Sequence, residues 1–259
     1  MFVIPSLLPI FIPFGYANIG KTVMIQRLIR YLYKHGFIVQ PELVFNPSPT
    51  YQQNCERYMR EVQHSLPQAT AANDTILLRV SRHDGMLVCY ILDIAGECQY
   101  DMLHPHVAMS AEMNAIINTP NKKIWGFMVD NGNQLDSIQK QQYVNLIRNY
   151  AMNVLDPKDK VLFIYSKVDQ VQFLYEDGNN YWKLLLETID SQYSHIFEPF
   201  EETNAFRKFF KGKFRFRLQP FHSIYICFSE NCNNVAFTDG NDNYPELLWN
   251  NLRELIREK

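Results

Sequence analysis

The sequence predicts an α/β fold, a mostly parallel sheet with helices on both faces. Three observations predict it. The apolar runs 7–14, 124–129 and 161–165 lack the in-and-out alternation of a half-exposed strand, which marks strands covered on both faces. Each is followed by a stretch with apolar residues at helical spacing. Of the 259 residues 47% are apolar or aromatic, and the formal charge is −2, which excludes a disordered or strongly polyionic chain.

Taken in order, the strand 7–14 leads through Gly15 into a helix over 21–35. That helix carries Val23, Ile25, Leu28, Ile29 and Leu32 on one face and Gly36 as its C-cap. Residues 37–75 hold Pro41, Pro47, Pro49 and Pro67 around one helical piece, 51–64, and read as a long, partly irregular excursion of the kind that carries function. Strands 75–81 and 86–92 form a hairpin around His83-Asp84-Gly85. A helix near 109–118, the strand 124–129, a helix near 137–154 and the strand 161–165 continue the alternation. Then come a helix near 181–191, a strand over 223–228 and a closing amphipathic helix, about 245–258, with Leu248, Leu252 and Leu255 on one face. Residues 1–259 read as one domain with an inserted helical element over about 170–222.

The five cysteines are odd in number and lack CxxC spacing, which argues against a disulfide framework or a structural zinc site and for a reducing, cytoplasmic setting. The apolar start has no basic region and is too short to span a bilayer; it reads as a buried strand, with a short secretory leader as the weaker alternative, and neither an appended amino-terminal domain nor a transmembrane segment is expected. Glycine is scarce, 10 in 259, so each position is informative.

Residues Gly15-Tyr16-Ala17-Asn18-Ile19-Gly20-Lys21-Thr22 complete the pattern G-x-x-x-x-G-K-[ST] between a strand and a helix, the context that motif requires. Gly15 and Gly20 let the backbone wrap closely around phosphate oxygens, and the amides from Ala17 through Val23 point inward at a helix N-terminus. Lys21 then reaches the β and γ phosphates, and the Thr22 hydroxyl ligates Mg²⁺. The second strand of the hairpin ends in Asp93-Ile94-Ala95-Gly96-Glu97. An aspartate there is where a Mg²⁺ ligand is needed, and Gly96 offers an amide to a γ-phosphate. After the strand 161–165 comes Ser166-Lys167-Val168-Asp169. The Asp169 carboxylate matches the two donors of a guanine edge, which adenine lacks, and the Lys167 stem packs along the base plane.

This order of motifs, closed by Ser229-Glu230 after a last strand, resembles the P-loop GTPases of the Ras-like, translation-factor class. The resemblance implies a three-layer P-loop NTPase (Ras-like) fold, GTP or GDP as ligand, and a switch-loop threonine on Mg²⁺ and the γ-phosphate. Thr70 is best placed for that threonine, with Thr75 and Thr50 as alternatives. Ser166 stands where the family has Asn or Thr before the lysine, a departure expected to weaken bracing of the phosphate loop. Ser229 and Glu230 stand where the family has Ser-Ala. The Gly-Glu after the aspartate and the Pro-x-x-Thr approach at Pro67 to Thr70 also look like bacterial double-GTPase proteins of conflict-type operons.

The catalytic set that follows is Lys21, Thr70, Gly96 and Glu97. Glu97 occupies the place of the family's water-orienting glutamine and puts charge near the γ-phosphate, so unassisted turnover should be slow. Asn18 resembles the asparagine that helps hold K⁺ in potassium-activated relatives; it also simply suits a loop turn. The resemblance implies a nucleotide-dependent switch with a protein effector or a second GTPase as partner. Glu97 and Ser166 would equally suit a catalytically degenerate guanine-nucleotide-binding scaffold. Two further features have plain readings. Residues 207–217 interleave basic residues with phenylalanines, which suits nucleic acid or an anionic membrane but better fits an alternating strand with solvated cations. His104 and His106 are taken as packing in a switch loop rather than as zinc ligands.

Overall fold

The computed structural model describes residues 2–64, 75–99, 110–168, 181–202, 215–222, 225–228, 235–239 and 241–258. The chain runs β1 (Ile10–Phe14), α1 (Lys21–Lys34), β2 (Phe37–Pro41), α2 (Pro49–His64), β3 (Ile76–Arg82), β4 (Leu87–Asp93) and α3 (Gly96–Gln99). It continues through α4 (Ala111–Ile117), β5 (Lys123–Val129), α5 (Ser137–Asn153), β6 (Lys160–Tyr165) and α6 (Tyr181–Gln192). The last elements are β7 (Phe216–Pro220), β8 (Tyr225–Phe228), β9 (Val235–Thr238) and α7 (Asn243–Arg257).

Seven strands form one sheet in the order β2-β3-β4-β1-β5-β6-β7. β4, β1, β5, β6 and β7 run parallel, whereas β2 and β3 are antiparallel to their neighbours. β5 is buried at every residue, which explains an apolar run without alternation. From β1 the chain moves through α1 toward the β4 side of the sheet, and from β5 through α5 toward β6. Right-handed crossovers in opposite directions place those helices on opposite faces. α1 packs with α2 and α7, while α5 packs against the 3-10 turn Glu198–Phe200. On the α5 side Phe14 lies 4.7 Å from Tyr150, and Phe163 lies 4.9 Å from both Phe197 and Phe216 (ring centroids).

Three expectations need correction. Residues 37–41 are not irregular: they form the edge strand β2, with Val39 buried and Pro41 at its end, where a missing N–H breaks no interior ladder. The sheet's last strand is β7, inside the range read as an insertion, so α6 and β7 are one further helix and strand of the fold itself. β7 alternates as the plain reading of that stretch required: Phe216 and Leu218 turn inward, and Arg217 turns out to Glu254 and Glu258. Residues 225–228 do form a strand, but among the described residues it pairs with β9 alone, in a separate antiparallel ribbon. The sequence favoured the more apolar run as the sheet strand, and tertiary pairing chose the less apolar one.

Candidate functional site

In a parallel sheet the carboxyl ends of the strands share one edge, and ligands bind there where the strand order reverses direction. β1, β4, β5 and β6 deliver the phosphate loop, Asp93, Asp130 and Ser166 to that edge. Between β1 and α1 the loop turns through two left-handed residues, Asn18 at φ 62° and Gly20 at φ 103°. Asparagine tolerates that conformation, which accounts for Asn18 without any cation. The N-cap of α1 is Gly20, which has no side chain to cap the helix, and a helix N-terminus favours an anion. Lys21 is buried over the loop, its Nζ donating to the carbonyls of Gly15 (2.8 Å) and Tyr16 (3.0 Å).

Thr22 and Asp93, 71 residues apart in sequence, meet directly: the Thr22 hydroxyl donates to Asp93 Oδ1 at 3.1 Å. Asp93 Oδ2 is buried and has no hydrogen-bond partner among the described residues. The Tyr58 hydroxyl, from α2, faces this carboxylate closely enough to favour its charged form, although the two fall outside hydrogen-bond geometry. Burial pushes the Asp93 carboxyl up to about 6, against the opposing pull of the Tyr58 and Thr22 hydroxyls and the Lys21 charge. An orphaned carboxylate oxygen beside a hydroxyl is a partial oxygen donor set, and Mg²⁺ usually takes one or two such protein ligands and completes its shell with water and phosphate. The residues present therefore fit Mg²⁺.

Gly96 packs on the phosphate loop so closely that a Cβ there would lie 2.5 Å from Ala17 N and 2.7 Å from Tyr16 C. Its backbone φ is not the reason for glycine; space is. Gly96→Ala is expected to cost about 1–3 kcal/mol through displacement of α3 or the loop. A urea-unfolding midpoint equal to that of the parent would show that the contact is not held. One helical turn on, buried Gln99 donates from Nε2 to Pro13 O (2.8 Å) and accepts from Gly15 N (3.0 Å), fastening α3 to the end of β1.

On the other side of the loop stands Asp130, which directly follows β5 and is 1% exposed. Its Oδ1 accepts the Tyr16 hydroxyl at 2.5 Å and Gly132 N at 2.8 Å, and its Oδ2 pairs with Lys167 Nζ at 3.1 Å. Tyr193 joins at 3.4 Å from both Oδ1 and the Tyr16 hydroxyl. Burial first, then the charges of Tyr193 and Asp130, hold the Tyr16 phenol far above its ordinary range, so it remains a donor. Lys167 is held at φ 53°. Ser166 is fully buried, and its hydroxyl donates to Ile19 O at 2.9 Å. Bracing of the phosphate loop is thus present with serine, against the weakening expected from the sequence.

Of the predicted site residues the structure brings together Gly15, Ala17, Asn18, Ile19, Gly20, Lys21, Thr22, Val23, Asp93, Gly96 and Lys167. Thr70, Asp169, Ser229, Glu230, His104, His106 and the Glu97 side chain lie outside the described residues, as do 203–214 of the basic stretch. With β7 as the sheet's last strand, Phe221 and His222 follow it, where the sequence reading expected Ser229 and Glu230. There the Arg27 guanidinium donates to His222 O and lies 5.7 Å from the Phe221 ring. Tyr16, Gln99 and Asp130 were missed. The signal for Asp130 was available, since it is a carboxylate at the end of an apolar strand, as Asp93 is. No helix of the described residues is long and apolar enough to cross a membrane.

No protein-family model matches the sequence, and no curated protein matches it. Among solved structures, it is similar to one of the chloroplast translocon components atToc33 and psToc159, at 11% identity over 98% of this chain and 85% of that one, with a TM-score of 0.50. Nucleolar GTP-binding protein 1 from Plasmodium falciparum matches at 13% identity over 99% and 90%, with a TM-score of 0.48. The GTPase-like domain of Ski7 from S. cerevisiae, bound to GTP, matches at 12% identity, TM-score 0.44, over 98% of this chain and 51% of that one. At these identities likeness speaks for architecture alone. Seven strands in this order, with the phosphate loop after the central one, give the chain the fold of the P-loop GTPases.

Proposed function

We propose that the protein binds GTP and GDP with Mg²⁺, hydrolyses GTP slowly, and acts as a nucleotide-dependent switch toward a protein effector or a second GTPase. The observation that carries this reading is the Thr22–Asp93 contact with its orphaned carboxylate oxygen, set beside an uncapped helix N-terminus and a buried lysine. Thr22 and Asp93 would hold Mg²⁺, which supplies charge neutralisation between β and γ phosphates when bound. Lys21 would leave the Gly15 and Tyr16 carbonyls for phosphate oxygens, exchanging neutral acceptors for charged ones. Preference for guanine rests on Asp169, with Lys167 steered by Asp130 and the loop braced by Ser166. Slow turnover rests on glutamate at position 97. Switching would act through Gly96 and α3, which touch the loop where a γ-phosphate changes the packing.

The test sets GTP beside ATP in equilibrium binding and in phosphate-release assays, for the parent and for Lys21→Ala. GTP is expected to bind well ahead of ATP, and Lys21→Ala to weaken GTP at least about tenfold, the scale of a lost charge-assisted bond. Equal binding of the two nucleotides, or unchanged GTP binding in the variant, would overturn the reading.

A further inference from the structure

At the far end of the sheet lies a pocket of about 600 Å³, lined by Arg82, Arg253, Arg257, Phe37, Leu87 and Trp249 among others. α1 begins at Lys21 in the phosphate loop, and His35, just past its last residue, lines this pocket; at about 1.5 Å per residue the two sites stand roughly 20 Å apart. β4 likewise runs from Leu87 at the pocket to Asp93 at the phosphate edge.

No acidic side chain among the described residues lines the pocket. Arg253 and Arg257, one turn apart on exposed α7, have no ion pair or hydrogen bond among the described residues, and Arg82 has only the exposed Asp84 at 3.5 Å. The acids nearest them in sequence, Glu254 and Glu258, are turned away to Arg217, and Glu246, in the first turn of α7, does not line the pocket. The carboxyl ends of α1 and α7 oppose an anion here with about half a negative charge each, which three guanidinium groups outweigh. A second observation points the same way: Trp249 is 2% exposed, and its indole Nε1–H has no acceptor among the described residues. A buried donor without an acceptor in the wall of a cationic pocket calls for a partner, which an oxygen of a bound ligand could supply.

We propose that this pocket binds a small organic molecule bearing two or more phosphate groups. Its phosphates would lie on Arg82, Arg253 and Arg257, an oxygen would take the Trp249 N–H, and its body would lie against Phe37 and Leu87. Guanidinium forks match phosphate oxygens two at a time, and two phosphates at nearly two charges each balance three arginines within one pocket, which single carboxylates do not. The same chemistry occurs free in solution and in a lipid headgroup.

The experiment titrates the full chain with fructose 1,6-bisphosphate by calorimetry. A parallel arm uses phosphatidylcholine vesicles with and without phosphatidylinositol 4,5-bisphosphate. The proteins are the parent, Arg253→Glu/Arg257→Glu and Lys21→Ala, with circular dichroism confirming the fold of each. Binding is expected to survive Lys21→Ala and to weaken more than about tenfold in the double arginine variant, two charge-assisted contacts being lost. Binding of the free bisphosphate assigns a soluble ligand, and binding of the doped vesicles alone assigns a headgroup. Three results would overturn the proposal: no binding in either arm, binding indifferent to the two arginines or lost with Lys21, or preference of the same arginines for a poly-glutamate peptide.

Discussion

Asp93→Asn is expected to make the metal-free protein more stable at pH 7.5, by about 2–3 kcal/mol, while removing its response to Mg²⁺ and nucleotide. Burial raises the folded-state carboxyl from 3.8 to about 6, and a rise of that size corresponds to about 3 kcal/mol. The sign follows from proton linkage. A folded value above the unfolded one means that the folded state holds the proton more tightly, so stability is greatest below about 3.8, falls as pH rises to about 6, and is level beyond. The asparagine keeps the acceptor for the Thr22 hydroxyl and carries no charge to desolvate, so the variant should lack this fall. Urea midpoints at pH 4 and pH 7.5 test it: the two proteins should agree at the lower pH and separate at the higher. Adding Mg²⁺ and GDP should then stabilise the parent and leave the variant where it was, reversing their order. Equal midpoints at pH 7.5 without metal would show that the Asp93 carboxylate is not held in a desolvated site. At neutral pH the bare carboxylate is a cost to the fold, and a bound cation would relieve it.

The parts of the site legible in the sequence are those whose chemistry is compressed into a few consecutive residues. Gly15 to Thr22 is one such stretch, and Asp93 to Gly96 another, because a phosphate cradle and a strand-end carboxylate are local inventions of the backbone. Gln99 was illegible for the opposite reason, and Asp130, visible as a carboxylate at a strand end, gave no sign of its task. Gln99 finds Gly15 across 84 residues, and Asp130 finds Tyr16 across 114, so the partners that give these side chains their tasks lie far off in sequence, and the local bond from Gly132 N to Asp130 is that of an ordinary turn. The same physics separates the strands. β1, β5 and β6 are buried on both faces and announce themselves by composition, whereas β2 and β7 are edge strands. An edge strand is specified by the neighbour that accepts it: five residues, Phe216 to Pro220, gain their place from Val161 to Tyr165 beside them. Residues 225–228 had the better local pattern and lack such a neighbour in the sheet.

Removing Asp130 should therefore damage more than one loop. Asp130→Ala strips the acceptor from the Tyr16 hydroxyl and from Gly132 N, and the counter-ion from Lys167, whose side chain is 17% exposed. Breaking a buried charged contact while leaving its partners in place costs about 3–5 kcal/mol, and the partial exposure of Lys167 puts the expectation at about 3 kcal/mol. Asp130→Asn separates the two halves of that cost. Its amide oxygen still accepts from Tyr16 and Gly132, so about 1 kcal/mol is expected, from the lysine alone. Placing Asp130→Asn on a Lys167→Met background should then cost close to nothing further, because the charge it fails to meet is gone. Unfolding in urea measures the parent and all four variants. An additive double variant would show that Asp130 and Lys167 are neighbours without coupling; a cost below about 0.5 kcal/mol for Asp130→Ala would show that the node holds nothing. If the coupling is found, guanine-nucleotide affinity should fall in Asp130→Asn even though no atom of Asp130 is proposed to touch the nucleotide. The carboxylate fixes Tyr16 at the start of the phosphate loop and Lys167 at the base, and a nucleotide must meet both in one geometry.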